Sequence, residues 1–180
     1  RLLHDHVIRN GLELDFGVGN TLIDMYAKCG SLKEAETIFD QLLSRNVVSW
    51  NTLVSGYVQQ EEGQNAVDCY ERMQCEGIIP DSVTFTCILN ACGRMGAFNK
   101  GKKIHDDILC TGLLDKSMVL GSALVSMYAK CGLLAKAQQV LEALRYRDTI
   151  CWSALITGYA QERHSHEALN CFTRMQREGH

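Results

Sequence analysis

The chain repeats its own sequence at a fixed offset of 102 residues. The letters MYAKCG occupy residues 25–30 and occur again at residues 127–132. Three longer segments match at the same offset without a gap: 19–35 with 121–137, 47–60 with 149–162, and 65–77 with 167–179. A gap-free match of this length indicates an internal duplication.

The duplicated segment divides into units of 31, 35 and 36 residues. Each unit contains a helical run, a break at Gly or Glu-Gly, and a small residue four or five positions later: DMYAKCGSLKEAETIF, SGYVQQEEGQNAVDCY and NACGRMGAFNKGKKIH. Because the three lengths together span the 102-residue offset, the chain is built from shorter repeats of about 35 residues.

Each unit is predicted to form two helices, because apolar residues in 47–60 and in 65–77 recur at spacings of three and four. Gly77, followed by Pro80, marks a helix end. Similar breaks are expected at Gly30, Gly63, Gly96, Gly112 and Gly132. First helices are expected near 17–29, 48–60, 83–95, 119–131 and 150–162, and second helices near 31–44, 63–77, 97–111, 133–145 and 164–178. No segment shows the period-two alternation of a strand, so no sheet is expected.

Two helices alone cannot offset the entropy lost on folding. Apolar burial contributes roughly 25 cal/mol per Å2, whereas ordering the backbone costs about 1–2 kcal/mol per residue. Stacking of neighbouring units supplies the missing burial, which predicts an all-α solenoid. Residues 1–10 are interpreted as the second helix of a preceding unit.

Composition narrows the classes of partner. The nine cysteines form no Cys-x-x-Cys motif, and their odd number favours unpaired thiols in a reducing compartment. A net charge of −3 argues against a non-specific polyanion binder but is compatible with a protein that reads bases. No apolar run is long enough to cross a membrane.

The segments MYAKCG, VVSWNTLVSGY and FTCILNACGRMGAFNKGKKIH resemble the pentatricopeptide repeat (PPR) family, and the cycle of unit lengths resembles its plant PLS subclass. The tetratricopeptide pattern fits less well, because its Trp-x-x-Leu-Gly-x-x-Tyr series is absent. The implied repeats are the tail of a long one (1–14), short ones (15–45 and 117–147), 35-residue ones (46–80 and a partial one at 148–180) and a long one (81–116).

The resemblance implies a right-handed α-solenoid superhelix of helix-turn-helix repeats that binds single-stranded RNA in the mitochondrion or chloroplast. It also implies that the RNA site is selected for C-to-U editing or other processing. One base is read per repeat, by the fifth residue of the repeat together with the residue that closes it. With repeats counted from Phe16, Val47, Ser82, Met118 and Thr149, the base-reading residues are Asn20 with Asn46, Asn51 with Asp81, Thr86 with Ser117, Ser122 with Asp148, and Ser153.

The base preferences have a physical basis. The longer side chain of Asn can reach a small pyrimidine, whereas the short side chain of Ser or Thr leaves room for a larger purine. Asp can accept from the ring N–H of uracil or guanine, and Asn can donate to the bare ring nitrogen of cytosine or adenine. The first pair should favour a pyrimidine, cytosine before uracil, the second uracil, and the fourth guanine. With RNA running 5′ to 3′ along the chain, the expected core is pyrimidine, uracil, unspecified, guanine.

The resemblance also implies two further sets of RNA-contacting residues. Aliphatic residues at the second position would wedge bases apart: Val48, Val83, Val119 and Ile150. Gly17 departs from that pattern. Basic residues near the ends of first helices would meet phosphates: Lys28, Arg94 and Lys130. Gln59 and Gln161 replace the charge in the 35-residue repeats.

Structural alternatives remain for these residues. The reading residues could be ordinary polar residues near helix starts, Asp81 and Asp148 could be helix N-caps, and the basic residues could complement helix dipoles. An N-cap can also contact a base. Cys29 and Cys131, at equivalent helix ends, are interpreted as small packed residues rather than reactive thiols.

No metal, cofactor or catalytic set is expected, so the chain is interpreted as a non-enzyme. The runner-up function is a protein-interaction scaffold that holds a peptide or a small RNA-editing factor. Self-association is a further expectation, since stacked repeats end in apolar faces. The neutral side chains at the reading positions favour bases over either phosphates or peptide helices.

Overall fold

The structure is a computed structural model that describes residues 16–180, and this part contains ten α-helices, one 3-10 turn and no strand. The first helices of the repeats are α1 (Phe16–Lys28), α3 (Val47–Gln59), α5 (Ser82–Met95), α7 (Met118–Lys130) and α9 (Thr149–Gln161). The second helices are α2 (Leu32–Gln41), α4 (Gly63–Cys75), α6 (Phe98–Thr111), α8 (Leu134–Ala143) and α10 (Ser165–Arg177). The 3-10 turn covers Leu114–Lys116.

The predicted alternation of first and second helices is confirmed. The clearest difference is that α2 and α8 end at Gln41 and Ala143, two to three residues before the predicted positions. Leu42 and Leu144 leave the helical region with ψ of 129° and 132°, which ends each helix. The segments 1–10 and 1–14 lie outside the described residues, and the repeat boundaries remain predictions.

The chain divides into two compact units, Arg1–Ala91 and Cys92–His180. In the first, α1 packs against α2 and α3, and α3 packs against α4. In the second, α7 packs against α8 and α9, and α9 packs against α10. Within each unit, therefore, first helices lie side by side and each second helix packs on its own first helix, as in a stack of helical hairpins.

A glycine allows the close approach of neighbouring first helices. A Cβ atom on Gly56 would lie 2.6 Å from Ala27 Cβ of α1. One on Gly158 would lie 3.3 Å from Ala129 Cβ of α7 and 2.6 Å from Leu134 Cδ2 of α8. These separations are below ordinary van der Waals contact, so any larger residue would push the helices apart. The recurring Gly-Tyr pair of α3 and α9 thus has a packing reason.

Left-handed backbone occurs at most of the predicted breaks, with one difference. Gly30, Gly96, Gly112 and Gly132 all have positive φ, between 65° and 76°. Gly63 instead begins α4 in a buried position, and the left-handed residue of that turn is Glu61, with φ of 63°. The prediction of a glycine break at residue 63 was therefore wrong by two residues.

A tryptophan and an arginine occupy equivalent places in both units. Trp50 and Trp152 are fully buried, and the guanidinium groups of Arg72 and Arg174 lie 5.3 and 5.5 Å from the respective ring centroids. Such cation–π contacts contribute about 0.5–2 kcal/mol each. They attach α4 to α3 in the first unit and α10 to α9 in the second.

Arg45 holds the junction between the first two repeats. Its Nε donates to Phe39 O at 3.1 Å and its Nη2 to Asp40 O at 3.0 Å, while Nη1 pairs with Glu76. These bonds satisfy carbonyls left open at the end of α2. Arg147 makes the same set with Leu141, Glu142 and Glu178. Each arginine thereby fixes the residue that follows it, which is Asn46 or Asp148.

Candidate nucleic-acid interface

Each residue predicted to close a repeat caps the first helix of the next one. Asn46 Oδ1 accepts from Val48 N and Ser49 N, Asp81 Oδ1 from Thr84 N, and Asp148 Oδ1 from Cys151 N, at 2.8–3.2 Å. Ser117 Oγ accepts from Leu120 N at 3.4 Å. The N-cap alternative is therefore confirmed, and the cap holds each side chain at the start of a first helix.

Asn51 and Asp81 lie in direct contact. Asn51 Nδ2 donates to Asp81 Oδ1 at 3.0 Å, and both residues are half-buried. Thr84, which is fully buried, adds a hydroxyl 2.6 Å from Asn51 Oδ1. The expected reading pair is thus brought together as one hydrogen-bonded cluster that stays partly open to solvent.

Ser122 and Asp148 form the corresponding pair in the second unit. Ser122 Oγ lies 2.8 Å from Asp148 Oδ2 and 3.1 Å from Met118 O. Cys151 Sγ lies 3.4 Å from the same hydroxyl. Ser122 is only 4% exposed, so a base would meet mainly the carboxylate of Asp148.

The pair of Asn20 and Asn46 is organised differently. Asn46 uses its side-chain oxygen for the cap of α3. Asn20 Oδ1 and Ser49 Oγ are both buried and have no hydrogen-bond partner. A buried carbonyl without a donor costs about 1–3 kcal/mol, so this site is less satisfied than the one at Asn51.

Thr86 and Ser153, which are also predicted to read bases, have different surroundings. Thr86 Oγ1 donates to Ser82 O at 2.7 Å, within its own helix. Ser153 is exposed and lines a hollow of about 310 Å3 together with Lys130 and Ile150. That hollow is therefore lined by one residue predicted for a base contact, one for a phosphate contact and one for a wedge contact. The pairing of Thr86 with Ser117 stays a prediction.

The four predicted wedge residues are exposed apolar side chains. Val48 and Val83 are each 51% exposed, Val119 is 63% and Ile150 is 64% exposed. Each is the second residue of its first helix, so exposed aliphatic surface recurs at one place in α3, α5, α7 and α9. A flat base could cover them, which is the arrangement that the wedge prediction requires.

The three predicted phosphate contacts have exposed side chains. Lys28 Nζ lies 2.6 Å from Asp24 Oδ2, so its charge already has a partner one turn away. Lys130 lines the hollow with Ile150 and Ser153. Exposed pairs of this kind are worth about 0–1 kcal/mol, so phosphate could still compete for Lys28, at some cost.

Hydrogen bonding keeps the two capping carboxylates ionised. Partial burial raises the pKa of Asp81, but the backbone N–H of Thr84 and the amide of Asn51 outweigh it and hold the pKa below its usual value. For Asp148, burial is likewise outweighed by the Cys151 N–H and the Ser122 hydroxyl, and the pKa is lowered. At neutral pH both groups accept hydrogen bonds and donate none.

Sequence reasoning missed the third residue of each following repeat. Ser49, Thr84 and Cys151 occupy this place and lie behind Asn46, Asp81 and Asp148, with their backbone N–H groups donating to the cap. The signal was present, because all three are small and polar or sulfur-containing within an apolar helix face.

The interpretation of Cys29 as a packed residue was wrong, since its side chain is exposed, whereas Cys131 is half-buried. Cys29 follows the last residue of α1, whereas Cys131 Sγ lies 4.0 Å from Cys92 O and from Met127 Sδ; all nine cysteines are free thiols. Burial raises the pKa of the Cys92 thiol to about 11, which keeps it protonated at neutral pH.

Residues 16–180 contain no group of three or more His, Cys, Asp or Glu side chains that could bind a metal ion. None of their helices is both long and apolar enough to traverse a lipid bilayer.

Helical hairpins that stack through their first helices, with polar pairs at the helix starts, define a helical-repeat protein. Sequence models of the PPR repeat match residues 20–47, 83–113, 122–148 and 150–180, and a model of the PPR repeat family matches residues 45–94. The matches cover more than half of the chain, which belongs to the pentatricopeptide repeat family.

Relatives and solved structures agree with this assignment. A mitochondrial pentatricopeptide repeat-containing protein of Arabidopsis thaliana is 36% identical over 179 residues, which are 99% of this chain and 28% of the relative. A chloroplastic one from the same plant is 37% identical over 174 residues, 97% of this chain and 21% of the relative. The chain thus spans about a quarter of the length of these relatives.

The fold is that of a known PPR solenoid. The structure of maize PPR10 in complex with an 18-nt psaJ RNA element matches 97% of this chain and 27% of that one, with a TM-score of 0.75 and 20% identity. At this identity the likeness establishes the all-α repeat fold.

Proposed function

We propose that this chain is a sequence-specific scaffold for single-stranded RNA that reads one base per repeat and belongs to the PLS subclass. The observation that carries the proposal is the contact between the fifth residue of one repeat and the residue that closes it, seen for Asn51 with Asp81 and for Ser122 with Asp148. Two side chains that touch at a helix start can meet the pairing edge of one base together.

The state of the cap explains the difference between Asp and Asn as readers. An Asn that caps a helix with its oxygen, as Asn46 does, presents its N–H groups outward, where the bare ring nitrogen of cytosine can accept. An ionised Asp that caps with one oxygen still has acceptor capacity on the other, where the ring N–H of uracil or guanine can donate. The expected core of pyrimidine, uracil, unspecified and guanine follows from these roles.

Bases should contribute more of the binding energy than phosphates. The chain has a net charge of −3, and the reading positions are held by neutral or acidic residues. The exposed aliphatic side chains of Val48, Val83, Val119 and Ile150 provide apolar contact for base faces. Because few counterions would be released, we expect a salt dependence shallower than that of a basic RNA-binding groove.

The wider role of the protein belongs to the same proposal. Relatives named as mitochondrial or chloroplastic support an organellar location, and the PPR fold supports a scaffold that selects a transcript site rather than an enzyme. The site would serve C-to-U editing or other processing, with catalysis supplied by another segment or by a partner such as an editing factor.

Selection from a random RNA pool tests the proposal directly. The 180-residue chain, immobilised at low salt, should enrich an ordered motif containing pyrimidine-uracil-any-guanine. The Asn51→Ala variant, carried through the same selection, should lose enrichment of uracil but not of guanine. Enrichment of no motif by the unaltered chain would refute sequence-specific RNA binding.

One observation favours the alternative of a protein-interaction scaffold. In the second unit, a hollow of about 480 Å3 lies between the second helices α6 and α8 and is lined by apolar groups that include Phe98, Leu109 and Val140. None of the residues that line this hollow belongs to a predicted reading pair. A stable protein partner, together with no selected RNA motif, would favour this alternative.

Self-association remains a proposal of its own. Leu169 and Phe172 of α10 are 64% and 44% exposed. Exposed apolar groups on one helix can pair with those of a second copy. Light scattering during size-exclusion chromatography should detect dimers at high concentration, and a monomer at every concentration would refute this.

A further inference from the structure

Thr84 is a fully buried residue that the base-reading scheme does not use. It is the third residue of its repeat and lies behind the pair of Asn51 and Asp81. Its hydroxyl oxygen accepts from Asp81 N at 3.2 Å, and its own backbone N–H donates to Asp81 Oδ1 at 2.9 Å. This reciprocal pair resembles a capping box and fixes Thr84 against the start of α5.

The single hydroxyl proton of Thr84 has two acceptors within reach. Asn51 Oδ1 lies 2.6 Å away and Asp81 Oδ1 lies 3.0 Å away. The carboxylate oxygen already accepts from the Thr84 backbone and from Asn51 Nδ2. The proton therefore goes to Asn51 Oδ1, because this acceptor is nearer and because Asp81 Oδ1 already accepts two other hydrogen bonds.

This bond and the one from Asn51 Nδ2 to Asp81 together favour one orientation of the Asn51 amide. With Oδ1 held by Thr84, one Nδ2 hydrogen donates to Asp81 and the second is left for a ligand. A flipped amide would place its oxygen against the Asp81 carboxylate and its NH2 group against the Thr84 hydroxyl. The Thr84 hydroxyl could then accept from the NH2 group and donate to Asp81 Oδ1, but the hydrogen bond from Asn51 Nδ2 to Asp81 would be lost and two acceptors would meet at 3.0 Å.

We infer that Thr84 is a positioning residue that holds the Asn51 amide and the Asp81 carboxylate as a fixed donor–acceptor pair matched to uracil. The inference rests on the proposed RNA-binding function. A uracil presents a carbonyl oxygen beside its ring N–H, so one outward N–H of Asn51 and one free lone pair of Asp81 complement it. Thr84 supplies this complementarity before RNA binds, which lowers the ordering cost of binding.

The residue equivalent to Thr84 differs in the other repeats, so the expected base discrimination differs as well. Cys151 brings a thiol, a weak donor, to 3.4 Å from the Ser122 hydroxyl. The hydroxyl of Ser49 and the side-chain oxygen of Asn20 are both buried and have no hydrogen-bond partner. Discrimination should therefore be sharpest at the nucleotide read by Asn51 and weakest at the one read by Asn20.

Competition binding with the 180-residue chain tests the inference. Three unstructured oligonucleotides are compared: one with the core CUAG, one with CCAG, and one with CUAA. The ratio of affinities for CUAG over CCAG reports the Asn51 site, and the ratio for CUAG over CUAA reports the Ser122 site in the same molecule. The variants are Thr84→Val, which removes only the hydroxyl, Thr84→Ser, which keeps it, and Thr37→Val.

Thr37 is the matched control, because its hydroxyl bonds only to Lys33 O in an exposed stretch of α2. Thr84→Val should lower the CUAG over CCAG ratio about fivefold and leave the CUAG over CUAA ratio unchanged, since one lost hydrogen bond is worth about 1 kcal/mol. Thr84→Ser should restore most of the first ratio. If Thr84→Val does not fold, Thr84→Cys takes its place and should give an intermediate ratio.

The outcomes separate the two proposals. No discrimination by the unaltered chain at either nucleotide refutes the proposed function. Discrimination that survives Thr84→Val, or a loss equal for all three oligonucleotides, refutes the positioning role while the function stands. In the RNA-free chain, the Asn51 side-chain NH2 protons should exchange with solvent faster in Thr84→Val than in Thr37→Val, and equal rates would also overturn the inference.

Discussion

The Asn20 and Asn51 sites place the same residue type at the same repeat position and hold it in different ways. Asn51 sits in a closed cluster with Asp81 and Thr84, whereas Asn20 has a buried oxygen without a donor. The difference arises at the partner positions, where Asp81 and Thr84 are replaced by Asn46 and Ser49. The proposed base-reading code, when written only as residue types, therefore omits how firmly each of these side chains is held.

Truncating the two asparagines should give the largest contrast. Asn51→Ala removes an oriented donor and leaves Thr84 and Asp81 without it, so affinity for CUAG RNA should fall tenfold or more, about 1.4 kcal/mol or above. Asn20→Ala removes an oxygen that had no partner and should weaken binding only about threefold. Titration with fluorescent RNA measures both, and equal losses would abolish the distinction between the sites.

The stability of the chain without RNA should also distinguish the two sites. Thr84→Val leaves Asn51 Oδ1 and Asp81 N short of a partner and should lower the free energy of unfolding by about 1–3 kcal/mol. Ser49→Ala removes a buried hydroxyl that bonds to nothing and should be neutral or slightly stabilising. Urea denaturation measures both changes. A loss in Ser49→Ala as large as in Thr84→Val would mean that the Ser49 hydroxyl is satisfied after all.

The two lysines at equivalent helix ends extend the contrast to phosphate contacts. Lys130→Ala should weaken binding to all oligonucleotides alike and make the salt dependence shallower by about one phosphate contact. Lys28→Ala should have a smaller effect, because Lys28 is already paired with Asp24 at 2.6 Å. Affinities measured across a salt series test this; a base-specific loss in Lys130→Ala would contradict a phosphate role.

Acidic pH should change the stability that Asp81 contributes but not the stability that Asn46 contributes. This is the smallest of the expected effects. The pKa of Asp81 in the folded chain is below its usual value, so the carboxylate adds stability at neutral pH that is lost as the pH falls below about 4. The stability difference between the unaltered chain and Asp81→Asn should shrink over that range.

Asn46→Ala provides the control for the pH experiment, since neither side chain titrates. Its stability difference from the unaltered chain should stay flat over the same acidic range. Thermal unfolding at a series of pH values checks both variants, and a pH-independent difference for Asp81→Asn would show that the Asp81 carboxylate has no favourable partners in the folded chain.

The sequence contains enough to predict the hairpins and two of the paired contacts. Apolar spacing and the internal duplication located the helices, and the family resemblance gave the pairings of Asn51 with Asp81 and of Ser122 with Asp148, which lie in contact. The early end of α2 was missed, because it depends on Arg45 reaching back to the carbonyls of Phe39 and Asp40.

The rest depends on orientation, which a residue type does not specify. Thr84 looks like any small residue of a packed helix until its hydroxyl is seen beside Asn51 Oδ1. Cys29 has the sequence context of Cys131, yet Cys29 is exposed and Cys131 is half-buried. Both features arise from tertiary neighbours rather than from local pattern.

The Asp81→Asn variant tests the central claim most directly, that hydrogen-bond polarity at a capped helix start selects the base. Its cap oxygen should stay in place while an N–H group replaces the second carboxylate oxygen. Competition binding between CUAG and CCAG oligonucleotides should then show the preference reversed, from uracil in the unaltered chain to cytosine in the variant. An unchanged preference for uracil, in a variant that is folded and still binds RNA, would contradict the account.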